Sequence, residues 1–97
     1  MIRMTEQQKN MCRQILEHYG IESQRRILVE ECAELIQAIS KVERNGSTTE
    51  MIRNLFAEIA DVEIMLEQVK HYYSEYGTER LIDYKLDRQL KRMESKK

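Results

Sequence analysis

The sequence has no proline and no tryptophan, only three glycines, and only five tyrosines and one phenylalanine as aromatic residues. Residues that interrupt helices or fix tight turns are therefore scarce. The chain is instead rich in Glu, Gln, Lys, Arg, Leu, Ile and Met, which all have high helix propensity. This composition predicts an all-α fold.

The sequence also lacks a long apolar run and a dominant charge. No run approaches the roughly 18–20 apolar residues that span a bilayer. The 16 basic and 17 acidic residues leave a net charge of −1, so no overall field attracts nucleic acid or a membrane surface. The first residues, MIRMTEQQKN, lack the apolar segment of a signal peptide. We therefore expect a cytoplasmic protein with neither nucleic acid nor membrane among its partners.

Cysteine is rare, and the chain is short. Cys12 and Cys32 are expected to be free thiols in a reducing compartment, with a disulfide between them as the alternative. No CxxC or CxxH spacing favours a thiolate metal site. A chain of 97 residues is one domain, residues 1–97, and its few aromatics limit the core. We expect a homo-oligomer, most simply a homodimer or a dimer of dimers.

The turn and cap signals divide the chain into four helices. Thr5 can cap the first helix, Gly20 ends it, Asn45-Gly46 is a strong turn signal, and Gly77 separates the last two helices. The predicted architecture is an antiparallel four-helix bundle with helices at about 5–19, 22–44, 48–76 and 79–93.

The second predicted helix carries acids inside its apolar stripe. At about 100° per residue, the stripe covers about half of the helix, and Glu31 falls within it between Ala38 and Val42. Glu34 falls at the edge of the stripe, and Glu30 falls further out, on the solvent side.

The third predicted helix repeats this pattern. Glu58 falls between Met65 and Met51 inside the apolar stripe, and Asp61 falls at its border. Because the Asn45-Gly46 turn makes the two helices antiparallel neighbours, the two acid pairs can converge. Clustered carboxylates either raise their pKa values or bind a hard cation such as Mg²⁺ or Mn²⁺. The alternative is that each acid forms a salt bridge with Lys or Arg.

Glu30-Glu31-Cys-Ala-Glu34 followed by Glu58-Ile-Ala-Asp61 resembles the EExxE…ExxD signature of the all-α nucleoside triphosphate pyrophosphohydrolases, most closely the short MazG-like proteins. The resemblance spans about residues 24–92. It implies Mg²⁺-dependent hydrolysis of a nucleoside triphosphate between the α and β phosphates, which gives a nucleoside monophosphate and pyrophosphate and cleanses the nucleotide pool.

The resemblance also implies roles for particular residues. Glu31, Glu34, Glu58 and Asp61 would ligate Mg²⁺, with Mn²⁺ as a substitute. Glu30 would orient or deprotonate the attacking water, or support a further metal. Lys85 and Arg88 lie where the family carries residues that contact the phosphates. Lys41, on the same helix face as Glu34 and two turns further on, is a further candidate. Lys85 and Arg88 share one stripe of the last helix, although basic residues there also suit the helix dipole.

A non-catalytic function is the alternative to the enzymatic one. The same helices could form a dimerisation or partner-binding module in which the acids serve only folding specificity. Pyrophosphate release from a panel of nucleotides distinguishes the two functions, because only the enzyme produces it.

Overall fold

The computed structural model describes residues 4–95, which form four α-helices and no strand. The helices are α1 (Glu6–Tyr19), α2 (Ile21–Asn45), α3 (Thr49–Tyr72) and α4 (Glu79–Ser95). The all-α prediction is therefore confirmed. Among these residues, no helix is both long and apolar enough to cross a membrane. Cys12 and Cys32 are both free thiols, as expected.

The helix boundaries follow the predicted cap residues. Thr5 accepts a hydrogen bond from the Gln8 amide, while the Gln8 side chain accepts one from the Thr5 amide, which is a capping box. Gly20 and Gly46 end α1 and α2 with φ angles of 86° and 87°. In this left-handed region glycine carries no Cβ penalty, so these two positions place the turns.

The third helix is shorter than predicted. It ends at Tyr72, whereas the sequence suggested about residue 76. Tyr73 leaves helical geometry at φ −102° and ψ 48°, and a turn follows in which the Tyr76 amide donates to the Tyr73 carbonyl. The Tyr73 hydroxyl accepts a 2.7 Å hydrogen bond from Arg25 of α2. This contact holds the end of α3 against α2, and the chain then turns away from the core.

The core lies among α1, α2 and α3. Its buried apolar side chains are Cys12, Leu16, Ala38, Val62 and Met65. Two buried amides cross between α2 and α3, where Gln24 Nε2 donates to Gln68 Oε1 at 2.8 Å. Because neither glutamine is more than 3% exposed, this hydrogen bond fixes the register of the antiparallel pair.

The predicted bundle holds for α1–α3 but does not extend to α4. Among the described residues, α4 contacts no other helix, and every residue of α4 is exposed. The radius of gyration is 16.4 Å, against roughly 12–13 Å for a compact chain of this length. Residues 73–78 form a turn and bend that directs α4 away from the core.

Candidate metal centre

The two acid pairs meet between α2 and α3, midway along the helix pair. Glu31 and Glu34 lie on α2, and Glu58 and Asp61 lie on α3. One carboxylate oxygen from each of Glu31, Glu34 and Glu58 lies within 4.8 Å of the other two. Antiparallel packing in the register of the Gln24–Gln68 hydrogen bond brings these side chains together.

The burial of the four acids follows the helical positions that the sequence indicated. Glu31 and Glu58 are half-buried, whereas Glu34 and Asp61 are exposed at the border. The Oε2 atoms of Glu31 and Glu58 are both buried without a hydrogen-bond partner among the described residues. Buried, unpaired carboxylate oxygens are unfavourable unless a proton or a cation satisfies them.

Electrostatics within the cluster raise the pKa values of the two inner acids. Burial is the largest cause for Glu31, followed by a hydrogen bond with Asp61 and by the negative charges around it, and together they raise its pKa from 4.5 to about 7. Burial also raises the pKa of Glu58, followed by the charge of Glu34 and a hydrogen bond with it. Asp61 therefore lies close enough to Glu31 to act on its pKa, although its oxygens are not among the three that converge within 4.8 Å.

The salt-bridge alternative does not describe these acids. Within residues 4–95, the ion pairs are Lys9–Glu6 at 3.9 Å and Lys91–Asp87 at 2.9 Å, and neither involves the cluster. Lys41 is near enough for its charge to lower the pKa of Glu58, but it forms no ion pair with it. The buried carboxylate oxygens of Glu31 and Glu58 therefore require a retained proton or a cation.

The donor set suits a hard divalent cation. It consists of carboxylate oxygens only, which favours Mg²⁺, Mn²⁺ or Ca²⁺ over Zn²⁺. Oxygens bound to one octahedral Mg²⁺ lie roughly 3–4 Å apart. Small rotations of the flexible glutamate side chains bring three oxygens from within 4.8 Å to that spacing. Glu31, Glu34 and Glu58 therefore fit a metal ion, with Asp61 beside Glu31.

The other predicted site residues lie at different distances from this cluster. Glu30 is exposed on α2, outside the three convergent oxygens. Lys41 lies two turns beyond Glu34 on the same helix and acts on Glu58. Lys85 and Arg88 lie on α4, which does not contact α2 or α3 in the described part of the chain. The structure therefore does not bring these two cations to the acids within one chain.

The buried Gln24–Gln68 pair was not predicted from the sequence. Gln24 falls within the apolar stripe of α2, and this position could have indicated a buried polar contact. Gln68 lies outside the predicted apolar arc of α3, so its complete burial had no such signal. The pair holds the two helices in the register that brings the acids together.

Comparisons with models of protein families, with curated proteins and with solved structures found no match.

Proposed function

We propose that this chain is a metal-dependent nucleoside triphosphate pyrophosphohydrolase of the MazG-like type. The observation that carries the proposal is the convergence of three carboxylate oxygens within 4.8 Å. Two of the three glutamates, Glu31 and Glu58, also have a buried oxygen without a hydrogen-bond partner among residues 4–95. The resemblance of the double acidic motif to that family supplies the reaction class.

The acids hold the ion, and the remaining groups orient the substrate. Glu31, Glu34, Glu58 and Asp61 bind Mg²⁺, with Mn²⁺ as a substitute. A bound ion would neutralise part of the triphosphate charge and supply Lewis acidity at its oxygens. Without a cation, the four acids repel a polyphosphate, so activity requires the metal.

Glu30 is the proposed base because its exposed carboxylate lies beside the cluster without belonging to it. It accepts a proton from the water that attacks the α phosphorus. The bond between that phosphorus and the bridging oxygen then breaks, and pyrophosphate leaves with the bridging electron pair. The products are a nucleoside monophosphate and pyrophosphate.

Lys41 is the better placed of the proposed phosphate ligands. Its charge already acts on Glu58, so it lies close to the acids that would hold the metal. Lys85 and Arg88 remain proposed ligands. Their participation requires α4 to move or the helix of another chain to approach.

Pyrophosphate release tests the proposal. We expect a panel of canonical and oxidised or methylated nucleoside triphosphates to include at least one substrate, with Mg²⁺ or Mn²⁺ present. Glu58→Gln should lower the rate at least about 100-fold, because it removes a metal ligand. Glu63→Gln on the same helix is the matched control, since Glu63 is exposed and outside the cluster. Absence of pyrophosphate from every substrate with both ions contradicts an enzymatic function.

One observation favours the second candidate, a non-catalytic dimerisation or partner-binding module. Helix α4 exposes a set of large apolar side chains that nothing in the described chain covers. A protein that only binds a partner would show this surface and no pyrophosphate release. The two functions also coexist if α4 binds a partner and the acids bind metal.

A further inference from the structure

Helix α4 has the apolar stripe of a packed helix but no packing partner within residues 4–95. Its stripe spans about 80° of the helix circumference. The four side chains, each 51–61% exposed, are Ile82, Leu86, Leu90 and Met93. Within α4, Lys91 forms an ion pair with Asp87, and the Arg88 guanidinium lies 5.6 Å from the Tyr84 ring centre. An isolated helix of 17 residues is only marginally stable in water, so α4 needs a surface to pack on.

The α2–α3 pair has an uncovered apolar surface on the side away from the two border acids, Glu34 and Asp61. We call this surface the α2–α3 apolar face and define it by Cys32, Ile39, Ile59 and Leu66. On α2, Ile39 lies about 140° around the helix from Glu34, and on α3, Leu66 lies about 140° from Asp61. Ile39 and Leu66 are both 43% exposed, and Cys32 and Ile59 are half-buried.

The two surfaces match in length. In the register of the Gln24–Gln68 pair, Leu66 and Ile39 lie near opposite ends of the α2–α3 apolar face, roughly 20 Å apart along the helix axes. The stripe of α4 from Ile82 to Met93 is roughly 17 Å long. One helix of this length, laid along the α2–α3 apolar face, would therefore cover it.

The area of this contact suits a dimer. Four half-exposed apolar side chains on α4 bury roughly 400 Å², and the less exposed receiving face loses roughly 250 Å². Two such contacts, related by a two-fold axis, bury roughly 1,300 Å², which lies within the range of specific interfaces.

We propose that α4 of one chain packs along the α2–α3 apolar face of a second copy, and that the second copy returns the same contact. This exchange covers the apolar residues that define both surfaces and leaves Glu34 and Asp61 open on the other side of the α2–α3 pair. It is independent of the proposed hydrolysis, because it requires neither metal nor nucleotide.

Sedimentation equilibrium tests the α4 side of the contact. We expect the wild-type chain to have twice its monomer mass of 11.7 kDa at micromolar concentration. Leu86→Asp should give a monomer, because it places a charge in the stripe. Tyr84→Asp should remain a dimer. It is a matched control, since Tyr84 is 61% exposed and Leu86 is 60% exposed, but Tyr84 lies about 160° away from Leu86.

A second pair of variants tests the receiving face. Leu66→Asp should give a monomer, whereas Ile64→Asp, on the opposite side of α3, should not. The two residues are 43% and 38% exposed. Circular dichroism shows whether each variant keeps its helices. If Leu66→Asp unfolds, the Leu86 variant still tests the proposal, because α4 contributes nothing to the core.

Amide hydrogen exchange distinguishes a contact that α4 makes with a second chain from one that it makes by folding back on its own chain. The amides of α4 should be protected in the wild-type dimer. They should lose protection both in Leu66→Asp and on dilution of the wild-type chain to monomer. A wild-type monomer at 100 µM, a Leu86→Asp dimer, or protection of α4 that survives dilution to monomer overturns the proposal.

Discussion

Helices α2 and α4 carry the same kind of amphipathic pattern, yet they have opposite environments. Part of the apolar stripe of α2 packs on α3, including the buried residues Ala38 and Gln24. The stripe of α4 remains exposed over its whole length. Amphipathicity therefore indicates that a helix has a partner, but it does not identify the partner.

Polar residues distinguish the α2–α3 pair from α4. The α2–α3 pair is fixed by a buried hydrogen bond between amides and contains four acids in or beside the helix interface. Helix α4 keeps its charges in solvent, where ion pairs contribute little. Buried polar contacts of this kind specify one register, whereas an apolar stripe alone accepts several partners.

Shortening one side chain in the core and one on α4 should give the largest difference in the free energy of unfolding. Met65→Ala in the core, where the side chain is 6% exposed, should lower the free energy of unfolding by about 2–5 kcal/mol. Leu81→Ala on α4, outside the stripe and 55% exposed, should change it by under about 0.5 kcal/mol. Urea denaturation of the dilute monomer measures both values. Equal losses would show that α4 is packed as firmly as the core.

Metal binding should stabilise only the α2–α3 region. Mg²⁺ at 100 times its dissociation constant should add about 2.7 kcal/mol to the free energy of unfolding, because the site exists only in the folded chain. Thermal melts with and without Mg²⁺ measure the effect. Glu58→Gln should lose it, and Glu63→Gln should keep it. A melting temperature that Mg²⁺ leaves unchanged in the wild-type chain argues against the metal site.

The buried Gln24–Gln68 hydrogen bond should contribute less to the free energy of unfolding than the core side chain or the bound metal. Gln24→Leu leaves the carbonyl oxygen of Gln68 buried without its donor and should cost about 1–3 kcal/mol. Adding Gln68→Leu should recover part of the loss, since both unpaired groups are then removed. A double variant as destabilised as the sum of the single variants would show that the hydrogen bond has no part in holding the register.

The smallest expected effect is a pH dependence of the metal-free protein. Between about pH 4.5 and 7 the unfolded chain releases the Glu31 proton, while the folded chain keeps it, since burial and neighbouring acids raise the pKa of Glu31 to about 7. The folded state then binds more protons, so its stability falls as pH rises through this window and levels off above it.

Thermal melts in EDTA across this pH range measure the dependence, as a shift of a few degrees. Glu31→Gln should flatten the profile, and Glu63→Gln should follow the wild type. A wild-type melting temperature that rises with pH in this window, with the same slope in Glu31→Gln, contradicts the assignment.

Much of the fold could be predicted from the sequence, because its signals act within a few residues. Thr5, Gly20 and Gly46 mark helix ends through their own capping geometry. The end of α3 was harder to predict. Tyr73 leaves the helix four residues before Gly77, and a hydrogen bond with Arg25, 48 residues away in the sequence, holds it. Such a contact has no local signature.

The candidate site could be predicted only in part. Helical periodicity separated the half-buried Glu31 and Glu58 from the exposed Glu34 and Asp61, since periodicity reports direction around one helix. The distance between acids on different helices depends on register, which the buried Gln24–Gln68 contact sets. The position of Lys85 and Arg88 depends on where α4 packs, which periodicity does not determine.

The sequence by itself determined four helices, their caps and the acids that interrupt two apolar stripes, because these properties depend on backbone preferences and on a fixed rotation per residue. Only the tertiary structure decided that three carboxylates converge within 4.8 Å and that α4 lies apart from the core. Both outcomes depend on contacts between distant parts of the chain, where packing and buried hydrogen bonds override local preference.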